Sequence, residues 1–152
     1  MRILAIDPGN TESAYVLMDN YTPIEFGKVD NEHLLRMVYI YRHNDKTMPT
    51  VIEMIASCGM AVGKEVFETC VWIGRYTEAA MDTKYIYRKD VKMNLCGQTR
   101  AKDSNIRQAL IDRFGVVGTK ANKGYFYGFK ADIWQSYACG VTYLDCIKEG
   151  EK

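Results

Sequence analysis

The chain has 152 residues and a formal net charge of +1, with 47% hydrophobic and 26% charged residues. These values are ordinary for a globular protein, and we expect one domain over residues 1–152 with a sizeable core. No apolar stretch approaches the roughly 18 residues of a membrane span, and the first residues lack the pattern of a signal peptide. A membrane protein is thus excluded, and a cytoplasmic location is expected.

The hydrophobic pattern predicts three strands at the start of the chain, over residues 2–7, 13–18 and 22–29. Asp19-Asn20 lies between the second and third strands, which favours a meander of hairpins. The pattern then predicts, in chain order, a helix over 31–41, a strand over 49–55, a helix over 64–81, a strand over 83–88, a helix over 103–114 and a last helix over about 130–147. The fold class is therefore α/β, with a mixed five-stranded sheet flanked by helices.

Two details of this pattern carry further expectations. The strand over 49–55 is apolar on both faces, so we expect it to be parallel to a neighbour. The five cysteines contain no CxxC pair and are odd in number, which favours reduced thiols over a disulfide framework or a zinc site. Cys70 and Cys139 lie in apolar helical patterns, and we expect both to pack in the core.

The charge is distributed unevenly along the chain. Residues 1–83 carry a net charge of −5, residues 84–130 carry +8 and residues 131–152 carry −2. So basic a middle segment suggests a surface that faces a polyanion. The alternative is a solvated face whose charges are scattered in three dimensions.

Three carboxylates interrupt or open apolar segments, where an unpaired charge is costly. Asp7 ends the first strand, Glu53 lies within the strand over 49–55, and Asp132 is expected in the first turn of the last helix. Carboxylates from different elements can converge on two Mg²⁺ ions about 4 Å apart, an arrangement that hydrolyses phosphodiesters. Taken singly, the three have simpler explanations, namely a turn residue, an exposed edge-strand residue and a helix N-terminal acid. Their joint occurrence favours a metal site.

Several motifs follow one another in a defined order along nearly the whole chain. They are ILAIDPG at 3–9, VIE at 51–53, VWIGR at 71–75, VK at 91–92 leading to Gly97, RAKDSNIRQAL at 100–110 and KADIW at 130–134. In this order the chain resembles the RuvC-like Holliday junction resolvases of the ribonuclease H-like superfamily, especially the small phage-type members. The first motif alone is also found in sugar-kinase-like ATPases, but these are longer and have a second lobe.

The resemblance implies a crossover junction endodeoxyribonuclease that hydrolyses branched DNA with two Mg²⁺ or Mn²⁺ ions per active site and leaves a 5′-phosphate. Asp7, Glu53 and Asp132 would be its catalytic and metal-binding residues. The family usually has a second acid three residues after the position of Asp132, where this chain has Gln135. Asp103 is a second candidate for this fourth ligand. A phage-encoded member would act in the cytoplasm of its bacterial host.

The resemblance also gives the basic segment a role in binding DNA. The residues expected near the phosphate backbone are Lys92, Arg100, Lys102 and Arg107, with Lys89, Lys120 and Lys123 further along. The loop over 56–64 would face the junction centre, where Met60 and Phe67 could contact unpaired bases. For Phe67 we expect core packing instead.

Symmetric cleavage of a junction requires two active sites, so a homodimer is implied. Its interface would use the helix over 64–81, where Val71, Trp72 and Arg75 form a contact strip; for Trp72 the alternative is the core of its own chain.

Three other functions are compatible with these motifs. One is a ribonuclease H-like nuclease that acts on flaps or RNA–DNA hybrids. Another is a junction-binding protein with weak or no catalysis, because Gln135 brings no charge. The third is a fragment of an actin-like ATPase.

Overall fold

The computed structural model describes residues 1–57, 59 and 61–150. In chain order they form β1 (Arg2–Asp7), β2 (Glu12–Asp19), β3 (Thr22–Asp30), α1 (Asn31–Asn44), β4 (Thr50–Met54), α2 (Lys64–Ala79), β5 (Thr83–Tyr87), α3 (Arg88–Cys96), α4 (Asp103–Phe114) and α5 (Ile133–Gly150). Each predicted element is present within a few residues of its expected bounds. None of the helices formed by these residues is long and apolar enough to cross a membrane.

The five strands form one mixed sheet in the order β3-β2-β1-β4-β5. The first three strands pair antiparallel, as the predicted meander requires, and β4 is parallel to both β1 and β5. The parallel arrangement expected for β4 is thus confirmed. Because β4 lies between two strands, Glu53 does not belong to an edge strand. The sheet and its helices are those of the predicted α/β fold class.

Side chains of β1 alternate between two apolar cores, one on each face of the sheet. Ile3 and Ala5 pack with the buried residues of α5, whereas Leu4 and Ile6 pack with those of α1 and α2. Helix α5 lies directly on its face of the sheet, and its Gly140 allows the two to approach closely. A Cβ atom there would lie 2.4 Å from Met18 Sδ and 3.2 Å from Ala5 Cβ.

A buried hydrogen-bond network ties the turn after Asp7 to both helices of the opposite face. Ser13 Oγ donates to Asn31 Oδ1 at 2.6 Å, and the Tyr76 hydroxyl lies 3.0 Å from the same oxygen. The Gly9 amide donates to Ser13 Oγ at 3.1 Å, and Asn31 Nδ2 donates to the Gly9 carbonyl at 2.9 Å. Because these polar groups satisfy one another, the network can be buried and holds the turn in one conformation.

Two helices differ from the sequence prediction. Helix α3 was not predicted, because Val91 is its only buried residue and a helical apolar stripe is therefore missing. Helix α5 begins at Ile133 rather than near residue 130, since Ala131 has a left-handed φ of 37°. Asp132 consequently lies immediately before the helix and not in its first turn, and its carbonyl accepts from the Gln135 and Ser136 amides.

The burial of two residues in α2 also differs from the prediction. Thr69, Ile73, Tyr76 and Ala79 are buried, whereas Cys70 is exposed. Phe67 is 62% exposed, so the expectation of core packing is wrong for both residues. Cys139 is fully buried, as predicted, and with Cys70, Cys96 and Cys146 it is a free thiol. Met60 and Cys58 lie outside the described residues.

Candidate active site

The sheet register brings Asp7 and Glu53 to one edge of the sheet. Ile6 pairs with Ile52 in the parallel β1–β4 ladder, so the residues that follow them end neighbouring strands side by side. Both point to the face covered by α5, because side chains alternate along a strand. Across β2, Asp7 pairs with Ala14 and Ala14 pairs with Lys28, which places Lys28 in the same row.

Asp7 is a carboxyl group whose pKa is strongly raised by its place at this edge. Its burial raises the pKa from an ordinary value of 3.8 to about 8, with further contributions from the charges of Glu53 and Asp132. Arg88 and Lys28 act in the opposite direction. These interactions show that the three predicted carboxylates are close enough to influence one another. The Asp7 carboxylate makes no ion pair or hydrogen bond with any side chain that the structure describes.

Glu53 is paired on both of its oxygens. Arg88 Nη1 donates to Oε1 at 3.1 Å, and the Cys139 thiol donates to Oε2 at 3.7 Å. Burial raises the pKa of Cys139 well above its ordinary value, which keeps the thiol protonated as a donor. The second arm of the Arg88 guanidinium binds Asp103. One arginine therefore joins the carboxylate of β4 to the first residue of α4.

Asp132 reaches the same place from the end of the loop before α5. Its Oδ2 accepts from Lys28 Nζ at 2.7 Å. Four residues later, Ser136 Oγ accepts from the Asp7 amide at 3.1 Å and so attaches the first turn of α5 to the end of β1. The position of Asp132 relative to Asp7 is thus set by a direct helix–strand contact.

Three clefts meet at Asp7. The largest, about 490 Å³, runs past Glu53 and is bounded by Met54, Tyr87, Arg88 and Lys89. The second, about 340 Å³, is polar and lies between α4 and α5; it is lined by Arg88, Asp103, Ser104, Arg107, Asp132, Trp134 and Gln135. The third, about 260 Å³, is lined by the turn over 8–12 together with Lys28 and Asp132. Asp7 therefore lies where the three clefts join.

The donor set suits a hard divalent cation, although the ligands are not gathered into a formed site. Over residues 1–57, 59 and 61–150, no group of three or more His, Cys, Asp or Glu is arranged to hold a metal ion. Glu53 and Asp132 are instead each held by a cationic side chain. Asp7, between them, has a raised pKa, chiefly because it is buried and also because the charges of Glu53 and Asp132 are close. Carboxylate oxygens are the ligands that Mg²⁺ and Mn²⁺ prefer, so the residues present fit such an ion.

The structure places the other predicted residues at varying distances from this edge. Gln135, 8% exposed, and Asp103 line the second cleft with Asp7, so both candidates for a fourth ligand lie near the carboxylates. Arg107 is in the wall of the second cleft and Lys89 in that of the first. The remaining basic candidates lie in α3, in the α3–α4 connection and in the loop before α5, outside the lining of the three clefts; they are Lys92, Arg100, Lys102, Lys120 and Lys123.

Sequence reasoning missed the two cations that hold the carboxylates. Arg88 directly follows β5, and carboxyl ends of parallel strands meet at one sheet edge, so its proximity to Glu53 could have been foreseen. Lys28 could be found only from the β1–β2–β3 register, which the sequence does not specify by itself.

Solved structures with the same fold include RuvC from Thermus thermophilus, with a TM-score of 0.72, 14% identity, and coverage of 99% of this chain and 97% of that chain. A second is T. thermophilus RuvC in complex with a Holliday junction substrate, with a TM-score of 0.70, 13% identity, and coverage of 99% and 96%. No family model matches the sequence, and no curated protein matches it significantly. The resemblance suggested by the sequence motifs is thus confirmed in three dimensions, and the chain has the fold of RuvC over nearly its full length.

Proposed function

We propose that this protein is a divalent-metal-dependent endonuclease that cleaves branched DNA, in particular four-way junctions. The observation that carries the proposal is the meeting of Asp7, Glu53 and Asp132 at one edge of the sheet. The fold supports the proposal, because 99% of this chain aligns with T. thermophilus RuvC, whose structure was solved in complex with a Holliday junction substrate. Turnover of ATP would instead indicate the third alternative, a fragment of an actin-like ATPase.

In the proposed reaction Asp7, Glu53 and Asp132 would hold two Mg²⁺ or Mn²⁺ ions. Such ions would supply neutralisation of the phosphate charge, activation of the attacking water and stabilisation of the leaving oxygen. The protein holds the carboxylates in place through the Ser136–Asp7 contact and the network at Gly9. Arg107 and Lys89, in the cleft walls, bind the flanking phosphates and position the strand.

The fourth ligand is expected to be Gln135 or Asp103. Gln135 is nearly buried beside the carboxylates and can offer a carbonyl oxygen, but it brings no charge. Asp103 brings charge but is shared with Arg88. Mg²⁺ demands near-ideal octahedral geometry, so an amide ligand should favour Mn²⁺. Gln135→Asp should then narrow the difference between the cleavage rates with the two metals. If Asp103 already supplies the missing charge, Gln135→Asp should leave this difference unchanged and Asp103→Asn should widen it.

A homodimer would present two such sites to the two cut strands. Helix α2 offers the surface, since Phe67 and Val71 are each 62% exposed. Trp72, half-buried against Tyr76, is covered by the Arg75 guanidinium 4.1 Å from its ring centroid. Arg75 in turn pairs with Glu32 at 2.9 Å. These contacts fix the Trp72 and Arg75 side chains beside the exposed Val71 in the expected contact strip.

The proposal is tested by cleavage of a synthetic mobile four-way junction with Mg²⁺ and with Mn²⁺. Asp7→Asn, Glu53→Gln and Asp132→Asn should each lower the rate by at least about 10³-fold, yet leave junction binding in EDTA intact. Asp112→Asn is the control, because this carboxylate of α4 is exposed, accepts from Gln108 Nε2 at 2.7 Å and does not line the three clefts. Full activity in any of the three variants would remove that residue from the site.

Two alternatives have distinct outcomes in the same assay. Preferential cleavage of a flap or an RNA–DNA hybrid would indicate another ribonuclease H-like nuclease. A junction-binding protein without catalysis is the second candidate, favoured by the uncharged Gln135 and by the cations on Glu53 and Asp132. It predicts tight junction binding and no cleavage with either metal.

A further inference from the structure

Arg88 occupies the space between two acidic side chains at the candidate active site. It is the first residue of α3 and follows β5 directly. One arm of its guanidinium binds Glu53 Oε1 at 3.1 Å, and the other binds Asp103. The Arg88 side chain is 35% exposed and that of Glu53 only 13%, so this ion pair is shielded from solvent more than an ordinary surface pair.

Each carboxylate oxygen of Glu53 already accepts a hydrogen bond. Arg88 holds Oε1, and the buried Cys139 thiol donates to Oε2. A thiol is a weak donor that yields readily, whereas a guanidinium is a full positive charge. An incoming divalent cation therefore meets a like charge at the carboxylate that it needs.

Asp103 offers Arg88 a second partner that does not depend on Glu53. Its side chain is 65% exposed and stands on α4, across the second cleft from Asp132. A guanidinium that leaves Glu53 can remain bound to Asp103 through its other arm. It would then stay in the wall of the second cleft with Arg107, where two arginines can receive a phosphate.

We propose that Arg88 is a competitor of the divalent cation for Glu53, neutralising this carboxylate until metal binding displaces it toward Asp103. The inference rests on the proposed metal site. It makes Arg88 a positioning residue, because it acts on the metal ion through Glu53. The analogous Lys28–Asp132 pair is a weaker competitor, since its side chains are 42% and 46% exposed and solvent screens their attraction.

The test measures Mn²⁺ binding to the DNA-free protein by the electron paramagnetic resonance signal of the free ion. Arg88→Gln removes the competing charge, so the Kd for Mn²⁺ should fall about fivefold, which corresponds to roughly 1 kcal/mol. The same variant should unfold at a lower temperature in EDTA and gain more than wild type from added Mn²⁺. Asp7→Asn, in either background, should abolish the binding and so locate it at this site.

Arg113→Gln is the matched control. Arg113 pairs with Asp145 at 2.7 Å, and the two side chains are 39% and 14% exposed, close to the values for Arg88 and Glu53. Its loss should lower the unfolding temperature equally with and without Mn²⁺ and leave the Kd unchanged. A second variant, Arg88→Lys, keeps the charge but cannot bind both acids in a fork; its Kd should lie between those of wild type and Arg88→Gln.

Three results would overturn the inference. An unchanged or higher Kd in Arg88→Gln would show that Arg88 does not compete, or that it supports binding by orienting Glu53. If Arg88→Gln does not fold, a Kd for Mn²⁺ in Arg88→Lys above that of wild type would likewise show that Arg88 does not compete with the metal ion. A wild-type protein that binds no Mn²⁺, together with an Arg88→Gln variant that binds none, would remove the metal site itself and thereby the proposed mechanism as well.

Discussion

At the scale of single residues, Asp7 is a carboxylate placed where its charge is unfavourable. Burial, Glu53 and Asp132 raise its pKa to about 8. In the unfolded chain the same group titrates near 3.8, so folding takes up a proton between these two values. The metal-free protein should therefore lose stability as the pH rises from about 4 to about 8, and lose no more above that range.

Asp7→Asn should remove this pH dependence, since an amide does not ionise. We expect the variant to match wild type near pH 4 and to exceed it above pH 8, by a free energy of unfolding on the order of 1–3 kcal/mol. Chemical denaturation in EDTA between pH 4 and pH 9 measures the difference. Parallel stability profiles for the two proteins would show that Asp7 is ionised in the folded state over the whole range.

At the scale of secondary-structure elements, the site depends on how closely α5 lies on the sheet. Asp132 precedes this helix and Ser136 binds the Asp7 amide from its first turn. Gly140 permits the approach, because a Cβ atom there would collide with Met18 Sδ and press on Ala5 Cβ. A shift of α5 away from β1 would move Asp132 and Ser136 together.

Gly140→Ala should therefore destabilise the protein by about 1–3 kcal/mol despite the better helix propensity of alanine. For a chain of this size the unfolding temperature would fall by several degrees, at about 2–4 °C per kcal/mol. Gly74→Ala in α2 is the matched control, since a Cβ there meets no atom within 4 Å and should stabilise the monomer by about 0.5–1 kcal/mol. Thermal unfolding of both variants measures these changes. Equal stabilisation by the two substitutions would show that the contact between α5 and the sheet can accommodate a Cβ atom at residue 140.

At the scale of the whole molecule, two surfaces are expected to meet partners. The first is the exposed strip of α2. Val71→Glu places a charge at its centre and should convert a dimer into a monomer, which light scattering after size exclusion would detect. Val116→Glu is the control, because Val116 is 63% exposed, nearly the same as Val71, and lies outside α2. A dimer that survives Val71→Glu would place the interface elsewhere.

The second surface is the basic region that follows β5. Replacing Lys92, Lys102 and Arg107 together by alanine should lower the salt slope of junction binding by about three, one for each lost phosphate contact. Arg36 and Lys46, both exposed on the α1 side of the sheet, serve as controls. Binding titrations between low and moderate salt give the slope. An unchanged slope in the triple variant would mean that the DNA follows another path.

The sequence by itself determined the elements and the residues that stand out within them. Strands β1 and β4 could be predicted because they are apolar runs. Asp7 and Glu53 stand out within them, because a single carboxylate that interrupts an apolar run is visible in the sequence alone. The same holds for Asp132 at the start of an apolar helix. The motif order then led to the fold, which the solved RuvC structures share.

Only the tertiary structure decided what those carboxylates contact. Arg88 and Lys28 reach Glu53 and Asp132 across 35 and 104 residues of sequence, through strand pairings that local patterns do not encode. Helix α3 escaped prediction because it buries one residue, and α5 starts late because Ala131 takes a left-handed conformation. Hydrophobic periodicity records which face of an element is buried, whereas charge pairing depends on register and on the approach of distant elements. The acids could therefore be predicted from the chain, and so could the position of Arg88 after β5, whereas the position of Lys28 depended on the strand register.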